Sequence, residues 1–445
     1  MMTDEVAQRL REAIATNRLL VFCGAGLSMA PPSSLPSAKK VAEICATIYC
    51  DGMGGTLAPE VQADIEKMAK HFHDISRFEA VFIDALVPWA DFKGEPNPGH
   101  DAVADLLACK ALLAGITTNF DPLVEEAASN LGERDFRPIV EQNDLASERA
   151  HAPFLKLHGC MNRNRHQTVW HRDQVLGPPI ADRMKRFREW LAANLVGRDL
   201  LFIGFWTDWA YLTDLLAENL TAISPQHVYL VDPLPADDLK TKAPGLWNWV
   251  HRANIVFHHI AESGADFLDE LRRLWSRLFL SQLLRAAGST YQSLFGSASP
   301  APTPAAHEAL DSRALYALRR DLTGIPRTKP VRAKTPDDAN YIAAAIHHRL
   351  LESGAVYSEH QYSFGGRRLR LLSGRGRVLS AAKADFQHEP PIPMVESVIC
   401  AGAHADPSPA HIVRAVGSPT IVRAGSHVHW TTHHDLVLQL GGAHV

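Results

Sequence analysis

The sequence lacks the cysteine patterns that mark zinc sites and secreted scaffolds. Its six cysteines form no Cys-x-x-Cys pair and are scattered along the chain, at Cys23, Cys45, Cys50, Cys109, Cys160 and Cys400. This spacing argues against a zinc ribbon and indicates no disulfide framework. Scattered cysteines are typical of a reducing cytoplasm, where we expect the protein to be.

Long apolar runs and an excess of one charge are also absent. No stretch reaches the ~18–20 apolar residues that a membrane-spanning helix needs, and residues 1–18 lack the apolar centre of a secretory signal. The formal net charge is −4, so no overall field marks the chain as a general binder of nucleic acid or membranes. We expect no membrane contact.

The chain does contain a regular alternation of apolar runs and helical patterns in its first part. Strands are predicted at residues 19–23, 112–117, 154–157, 200–203, 227–231 and 254–258. Helices are predicted at residues 38–50, 77–86, 100–110, 181–195, 208–220 and 265–278. Continuous apolar strands separated by helices predict an α/β fold with a Rossmann-like, doubly wound parallel sheet.

A change in composition divides the chain. Residues 288–306 are rich in Ser, Pro, Ala and Gly, which predicts a linker between a domain at 1–287 and a domain at 307–445. In the second domain, Thr335 is expected to cap a helix that starts at Pro336 and ends near Glu352. The β-like runs that follow predict a smaller α+β domain, with strands at 356–364, 368–372, 378–382, 394–400, 420–423 and 428–440.

The first candidate site follows the first strand, at Gly24, Ala25, Gly26 and Ser28. Glycines allow the backbone to approach a pyrophosphate, and the helix that follows offers N–H donors. The alternative is a tight turn between a strand and a helix with no ligand.

The second candidate site follows the strand at 112–117. Thr117, Thr118, Asn119 and Asp121 bring hydroxyl, amide and carboxylate groups together, and ligands of open parallel sheets lie at this end of the strands. These groups can hold a ribose and a carboxamide. Alternatively, Asp121 only caps the helix that begins at Pro122.

Three more strand ends carry candidate residues. His158 ends the third strand and can exchange a proton near neutral pH, although such a histidine can also be purely structural. Gly204 lets a cofactor approach the backbone, and Asp232 either meets an adenosine ribose or caps a turn. All five sites fall at strand ends of one αβ array.

The order of these motifs resembles the sirtuin family of NAD-dependent deacylases across residues 15–280. The motifs are Gly-Ala-Gly-Leu-Ser at 24–28, Thr-Thr-Asn-Phe-Asp at 117–121, Leu-His-Gly at 157–159 and the later glycine strand end. The resemblance implies that NAD is bound, and that Gly24, Ala25, Gly26 and Ser28 contact its phosphates.

The same resemblance assigns roles to the other residues. Asn119 and Asp121 would contact the nicotinamide and its ribose, and His158 would act as the base on a ribose hydroxyl. Gly204 would lie beneath the ribose or phosphate, although Phe205 or Trp206 stands where the family commonly has serine or threonine.

Two departures from the deacylases point to a different branch. The paired cysteines that hold structural zinc are missing, so we expect no zinc, and residues 29–37 contain neither acid nor arginine. The pattern is similar to the sirtuin-like domains of bacterial antiphage defence proteins, which destroy NAD. Asn-Pro-Gly-His at 97–100, Asp208 after the glycine at 204, and an extra C-terminal domain also fit that branch.

We therefore expect an NAD glycohydrolase that cleaves the bond between nicotinamide and ribose, giving nicotinamide and ADP-ribose. In this role Asn119 would orient water or ribose hydroxyls, His158 would be the general base, and Asp121 would hold the carboxamide or stabilise positive charge. Two other functions stay open. The domain could be a non-enzymatic sensor of NAD or ADP-ribose, or an NAD-dependent protein deacylase.

Control of such an enzyme is expected because unrestrained NAD hydrolysis would kill the cell. The resemblance implies an antiphage effector that depletes NAD when triggered, by a phage product or through a partner such as an ATPase or a short Argonaute. We expect a homo-oligomer, with residues 307–445 acting in assembly or sensing.

The C-terminal domain carries two further candidate features. A basic, hairpin-like run would contact nucleic-acid phosphates or form a solvated strand face that protects a sheet edge; its arginines are Arg367, Arg368, Arg370, Arg375 and Arg377. A histidine group could hold a metal, although no cysteine cluster accompanies it; its members are His427, His429, His433 and His434.

Overall fold

The computed structural model describes residues 3–195, 197–207, 227–252, 255–300, 305–331, 335–406 and 428–442. The chain divides into two compact units, Met1–Leu271 and Arg272–Val445. Each unit contains its own β-sheet. The division precedes the linker predicted at 288–306.

The first unit is built on a six-stranded parallel sheet with the order β3-β2-β1-β4-β5-β6. Its strands are β1 (Leu19–Cys23), β2 (Ala114–Thr117), β3 (Phe154–Lys156), β4 (Asp199–Ile203), β5 (His227–Val231) and β6 (Val256–Ile260). This order is that of a Rossmann fold, with the chain reversing direction across the sheet between β1 and β4. The predicted fold class is confirmed.

Helices connect these strands. They are α1 (Asp4–Ala15), α2 (Ala25–Met29), α3 (Ala38–Thr47), α4 (Pro59–Gln62), α5 (Ile65–Asp74), α6 (Pro98–Ala108), α7 (Leu123–Asn130), α8 (Ile180–Asn194), α9 (Ala236–Lys242) and α10 (Pro244–Val250). Shorter 3₁₀ turns and two π-helical segments, Ile48–Gly52 and Phe78–Leu86, complete the unit. A long helix, α11 (Gly264–Ala286), contains the division between the units.

The sheet is covered on both faces, which explains why its strands are continuously apolar. All five residues of β1 are buried. Leu20 and Phe22 share a core cluster with Phe187 of α8 and Trp249 of α10. On the opposite face, a Cβ added to Gly115 would lie 3.2 Å from Leu107 of α6. Helices therefore pack on both sides of the sheet.

The second unit is smaller and contains a mixed five-stranded sheet with the order β11-β10-β9-β8-β7. Its strands are β7 (Val356–Ser358), β8 (Gln361–Phe364), β9 (Arg367–Ser373), β10 (Ser397–Ala401) and β11 (His429–Thr432). Strands β7, β8 and β9 are antiparallel neighbours, whereas β9, β10 and β11 are parallel. The predicted α+β class of this domain is confirmed.

The helices of the second unit after α11 are α12 (Gly288–Phe295), α13 (Ala305–Glu308), α14 (Ser312–Thr323), α15 (Asp338–Glu352), α16 (Leu379–Phe386) and α17 (His434–Gln439). Residues 288–295, predicted as linker, are helical because Tyr291, Leu294 and Phe295 bury their side chains in the core of this unit.

Three predicted details of the second unit are wrong. Helix α15 is capped by Asp337, whose side chain accepts from Asn340 N, and not by Thr335. A strand was predicted at 378–382, but residues 379–386 form a helix, which their alanines and leucine favour. The run 428–440 contains both β11 and α17.

The predicted helix 208–220 and strand 420–423 lie outside the described residues. Among the helices that are described, none is both long and apolar enough to cross a bilayer.

Candidate functional site

The candidate residues of the first unit lie at the carboxyl ends of five adjacent strands. His158 follows β3, Asn119 and Asp121 follow β2, and the glycine turn at 24–28 follows β1. Gly204 ends β4 and Asp232 ends β5. Because parallel strands end at one edge of a sheet, the topology brings residues from distant parts of the sequence to that edge.

Glycines allow the ends of β1 and β4 to touch where the strand order reverses. Gly26 N donates to the carbonyl of Gly204 over 3.0 Å. Gly204 has a φ of +56°, and a Cβ there would lie 2.5 Å from Leu27 N. A Cβ on Gly24 would lie 2.6 Å from Gly204 O. These glycines are therefore required by backbone packing, whether or not a ligand is bound.

The hydroxyl of Ser28 is the centre of a buried hydrogen-bond network. Asn119 Nδ2 donates to Ser28 Oγ over 3.1 Å, and Ser28 Oγ donates to Asp121 Oδ2 over 3.0 Å. His100 Nε2 lies 3.1 Å from the same oxygen. The network joins β1, β2 and the first turn of α6, and it includes three of the predicted site residues.

His100 belongs to the Asn-Pro-Gly-His motif at 97–100, and it is a site residue that the sequence did not predict. Its Nδ1 accepts from the backbone N–H of Asn97 over 3.1 Å, so Nε2 carries the proton and donates to Ser28. Burial lowers the pKa of His100 to about 4, against a smaller opposing effect of Asp121. The imidazole is therefore neutral at pH 7 and fixed in one tautomer.

Asn97 holds the segment that follows α2. Its Nδ2 donates to the carbonyls of Leu27 and Ala30 over 2.7 and 3.2 Å, and its Oδ1 accepts from the first turn of α6. Ser33 Oγ also donates to Glu95 O. The loop at 29–37 is thus tied to the start of α6 at both of these points.

The hydrogen bonds of Asn119 fix the orientation of its side-chain amide. Its Nδ2 donates to Gly24 O as well as to Ser28 Oγ, each over 3.1 Å. The reversed amide would set its oxygen against the Gly24 carbonyl, so the assignment is secure. Both amide protons are used, and Oδ1 is the atom of Asn119 that can accept a bond from water or a ligand hydroxyl.

Asp121 is held by its neighbours on both sides. Its Oδ1 accepts from Leu123 N over 3.2 Å, as the alternative role of helix cap predicts. Its backbone carbonyl accepts from the buried Lys156 Nζ, which also donates to Glu125 Oε1 over 2.8 Å. Burial alone would lower the pKa of Lys156, but Glu125, Cys160 and Asp121 together outweigh it and the pKa is raised. Lys156 is therefore a fixed cation beneath the loop.

Phe120 anchors the same loop to a patch of rings. Its ring centroid lies 4.7 Å from that of Trp170, 4.9 Å from that of Phe92 and 5.7 Å from that of Trp89. We call Trp89, Phe92, Phe120 and Trp170 the aromatic cluster. It belongs to a helical core that is separate from the sheet core, and it fixes the position of the backbone between Asn119 and Asp121.

His158 occupies the strand next to Asn119. Thr117 of β2 pairs with Lys156 of β3, and Asn119 and His158 each follow two residues later. Burial, with Arg183 nearby, lowers the pKa of His158 to about 3. The structure thus places His158 at the carboxyl edge of the sheet, as predicted.

Two predicted residues lie at the margin of this arrangement. Thr118 is half-buried, and its backbone N lies 3.4 Å from Cys23 O. Asp232 is buried, and its Oδ1 accepts from Leu234 N over 3.0 Å, as the turn-capping alternative predicts. Asp232 lies two strands away from β1.

Comparison with known families agrees with this geometry. Residues 114–254, which run from β2 to the segment before β6, match the family model of the SIR2-like domain. The match lies within the first unit, and we refer to the matched region as the SIR2-like domain. The resemblance to sirtuins is thereby confirmed, and the turn at 24–28, outside the matched residues, belongs to the same sheet through β1.

Solved structures of Sir2 proteins align with part of this chain at low identity. One described as the structural basis for the mechanism and regulation of Sir2 enzymes is 17% identical, covering 62% of this chain and 99% of its own, with a TM-score of 0.36. A Sir2 homolog–NAD complex is 18% identical, covering 61% and 94%, with a TM-score of 0.32. A mutant Sir2 homologue with ADP-ribose is 17% identical, covering 62% and 98%, with a TM-score of 0.36. No curated protein matches the chain.

Outside the SIR2-like domain, the basic run is less available to phosphates than its sequence predicted. Arg370 is buried and donates to Asp321 and Glu389. Arg377 is paired with Asp385. Arg370 is used inside the unit because Asp321, which is 49 residues away in the sequence, packs beside β9, whereas Arg377 is paired by a residue of the helix that follows it.

Two of the histidines considered as metal ligands, His433 and His434, lie with their ring centroids 4.5 Å apart, but each has another partner. His433 Nδ1 accepts from Gly402 N over 3.3 Å, and His434 Nδ1 lies 3.1 Å from Thr432 Oγ1. His427 lies outside the described residues. No group of three or more His, Cys, Asp or Glu side chains suited to a metal occurs in the part of the chain that is described.

Proposed function

We propose that the SIR2-like domain binds NAD at the carboxyl edge of its sheet and hydrolyses it. The observation that carries this proposal is the buried network of Ser28, His100, Asn119 and Asp121, which lies at the carboxyl ends of β1 and β2, beside the reversal of strand order between β1 and β4. In open α/β sheets this is the place where dinucleotides bind. Solved Sir2 homologues in complex with NAD and with ADP-ribose agree with this choice of ligand.

The bond to be cleaved joins nicotinamide to ribose. Nicotinamide leaves as a neutral molecule with the bonding electron pair, so it needs no acid, and an oxocarbenium-like state remains on the ribose. A water oxygen then bonds to that carbon and releases a proton, giving ADP-ribose. The protein must therefore orient the ribose and water, and the unused Oδ1 of Asn119 is suited to accept a hydrogen bond from either.

His158 is the proposed acceptor of the released proton. Its lowered pKa of about 3 keeps the imidazole neutral at pH 7, which is the form that can accept. A pKa this low also makes it a weak base. The negative pyrophosphate of bound NAD would raise that pKa because it favours the protonated imidazole.

Asp121 acts in this scheme through Ser28. Its Oδ2 accepts from the Ser28 hydroxyl and its Oδ1 accepts from Leu123 N, so it positions the phosphate-binding turn and supplies negative charge near the cationic ribose. Ser28, Gly24, Ala25 and Gly26 would lie along the phosphates. Gly204 and Thr118 would border the ribose, and Asp232 would meet the adenosine end.

The cellular role that we propose is antiphage defence by triggered depletion of NAD. It rests on the missing cysteine pairs and on the loop at 29–37, which departs from the deacylases. The second unit would provide assembly or sensing, through a homo-oligomer, a regulatory protein or a phage-derived trigger. We expect no stoichiometric zinc; elemental analysis that found one tightly bound zinc per chain would overturn this expectation.

The experiment that tests the function is an assay of NAD consumption and nicotinamide release by the full chain, alone and with the products of neighbouring genes. Asn119→Ala and His158→Ala should each abolish release while the thermal unfolding temperature stays close to that of the wild type. Asn130→Ala and His166→Ala are matched controls because both residues are exposed and lie outside the site. Full activity in either site variant would refute its assignment.

The two alternatives give different results in the same assay. A non-enzymatic sensor would bind NAD in calorimetry but leave it intact during prolonged incubation under every triggering condition. A protein deacylase would release nicotinamide only when an acyl-lysine peptide is added. Hydrolysis without peptide supports the proposal, and either other result replaces it.

A further inference from the structure

A pocket lies in the second unit, outside the SIR2-like domain and unused by the proposed reaction. It is formed by α14, the segment after it, the β7–β8 hairpin and a proline-rich segment at 390–393. Its volume is about 190 Å³, below the ~300 Å³ at which most small-molecule sites begin. The pocket can therefore hold a phosphate and a sugar, but it is too small for a whole dinucleotide.

Two guanidinium groups line the pocket from different elements. Arg313 lies in the first turn of α14 and is exposed, and it has no ion-pair or hydrogen-bond partner among the described residues. Arg327 lies in the segment after α14. That segment is held in place by the buried Arg320, which donates to the carbonyls of Ile325 and Pro326. The fold thus positions the segment that carries Arg327, and the positive charge of Arg313 is not paired with a carboxylate among the described residues.

A buried network of charges supports the floor of the pocket. Asp321 accepts from Arg370 Nε over 3.1 Å, and Arg370 also donates to Glu389 over 2.8 Å. Arg327 Nε lies 3.6 Å from Glu389. The two carboxylates of this network are balanced by Arg370 together with Arg327 itself, so Arg313 is the lining guanidinium whose charge the network does not use.

His360 joins this network to the pocket. Its Nδ1 lies 3.0 Å from Asp321 Oδ2 and donates to that carboxylate. Nε2 is then the ring nitrogen left for a ligand in the pocket that His360 lines. This arrangement fixes the ring and orients one polar atom, as a second bond does for many binding histidines.

The hairpin that carries His360 has an unusual backbone for its sequence. Ser358 pairs with Gln361, and the two turn residues, Glu359 and His360, have φ values of 34° and 69°. A two-residue turn with both φ values positive strongly favours Asn-Gly or Gly-Gly. The adjacent β8–β9 hairpin does use two glycines for this purpose, Gly365 and Gly366.

The contrast between the two hairpins indicates a use for the side chains of Glu359 and His360. A non-glycine residue in this region is strained, and such strain persists where the surrounding structure or a function requires it. Both side chains line the pocket. Glu359 adds a carboxylate opposite the arginines, and carboxylates of nucleotide sites accept from ribose hydroxyls.

We propose that this pocket binds the phosphate and ribose of a small nucleotide. Arg313 and Arg327 donate to the phosphate oxygens, and His360 Nε2 and Glu359 accept from the ribose hydroxyls. The base remains outside the pocket, so the site recognises the charged and hydroxylated part of the molecule. Guanidinium groups suit phosphate because their N–H groups match its geometry.

The test uses the full chain and a photoreactive nucleotide, 8-azido-ADP, followed by digestion and mass spectrometry. We expect label on peptides from residues 305–331, 355–366 or 387–396, lost when unlabelled ADP is added in excess. Arg313→Glu should reduce this labelling at least tenfold, and Arg313→Ala should reduce it less. Because Arg313 is exposed, neither variant should unfold the protein, as circular dichroism can check.

The matched control is Arg367→Glu, which changes an exposed arginine of the same unit outside the pocket. It should leave labelling unchanged. Label confined to the SIR2-like domain, or equal labelling of the wild type and Arg313→Glu, would overturn the proposal. Equal loss with Arg313→Glu and Arg367→Glu would also overturn it, because the effect would then be one of general surface charge.

Discussion

His100 and Ser28 are 72 residues apart in the chain, yet His100 Nε2 lies 3.1 Å from Ser28 Oγ. The contact is possible because α6 begins beside the turn that follows β1, where a Cβ on Gly99 would lie 2.6 Å from Leu27 Cδ1. The hydroxyl of Ser28 can then accept from His100 and Asn119 while it donates to Asp121. The Ser28 hydroxyl therefore has three hydrogen-bond partners within the protein.

Removal of the His100 side chain should cost stability and activity together. In His100→Ala, Ser28 Oγ and the N–H of Asn97 each lose a partner at a buried site, so the free energy of unfolding should fall by about 1–3 kcal/mol. Urea denaturation measures this change. His100→Gln keeps a donor for Ser28 and should recover part of the loss. An alanine variant as stable as the wild type would show that the contact contributes nothing.

Acid should destabilise the first unit through its buried histidines. The pKa of His100 is about 4 and that of His158 is about 3, both below the ordinary value of 6.5. The unfolded chain therefore takes up protons first as the pH falls. The stability from keeping these rings neutral is fully present above about pH 6.5 and is lost as the pH falls toward 4 and 3.

Thermal unfolding measured from pH 7.5 to pH 4 checks this prediction. The unfolding temperature of the wild type should fall across the range, and that of His100→Gln should fall less because one titrating group is gone. Parallel curves for the two proteins would contradict the assignment of His100.

Gly204 should tolerate no side chain. In Gly204→Ala, the new Cβ would meet Leu27 N at 2.5 Å at a residue with a φ of +56°. Left-handed strain and overpacking together predict a loss of about 2–5 kcal/mol of stability. Gly177→Ala is the control, since nothing lies within 4 Å of its added Cβ. The test fails if chemical denaturation finds the two variants equally stable.

Lys156 should be essential to the loop only while Glu125 is charged. Lys156→Met leaves the Glu125 carboxylate without its cation in a largely buried place, and breaking such a pair costs about 3–5 kcal/mol. The double variant Lys156→Met, Glu125→Leu should recover most of that loss. A double variant as unstable as the single one would mean that the contact of Lys156 with the Asp121 carbonyl is the dominant interaction.

Replacing Glu359 should stabilise the protein. Asparagine adopts positive φ more readily than glutamate, so Glu359→Asn should raise the free energy of unfolding by up to ~1 kcal/mol. Gly365→Ala, at a φ of 55° in the neighbouring hairpin, should lower it by a similar amount. Equal effects of the same sign would show that backbone strain does not distinguish the two turns.

The positions of the strand-end residues could be predicted from sequence because buried parallel strands are continuous apolar runs. Leu19–Cys23 and His227–Val231 have the bounds that were predicted. The role of His100 could not be predicted in this way, since its partner Ser28 is far away in sequence and only the packing of α6 brings them together. Its signal was a histidine three residues after a capping asparagine.

Local pattern was least informative in the second unit. Arg370 stands in a basic run that suggests solvent exposure, but Asp321 and Glu389, 49 residues before it and 19 after it, bury it in ion pairs. Residues 379–382 are apolar enough for a strand but also contain good helix formers, and the helix prevails. Such choices depend on tertiary contacts that periodicity does not contain.

The aromatic cluster gives Phe120 an influence that its chemistry would not suggest. Phe120 has no polar group, but it lies in the chain between Asn119 and Asp121, and its ring is held by Trp89, Phe92 and Trp170. A change in the volume of any of these rings would shift both polar neighbours through the backbone. The geometry of the polar network therefore depends on rings that lie outside it, and a substitution in those rings is expected to alter the proposed activity as a substitution within the network would.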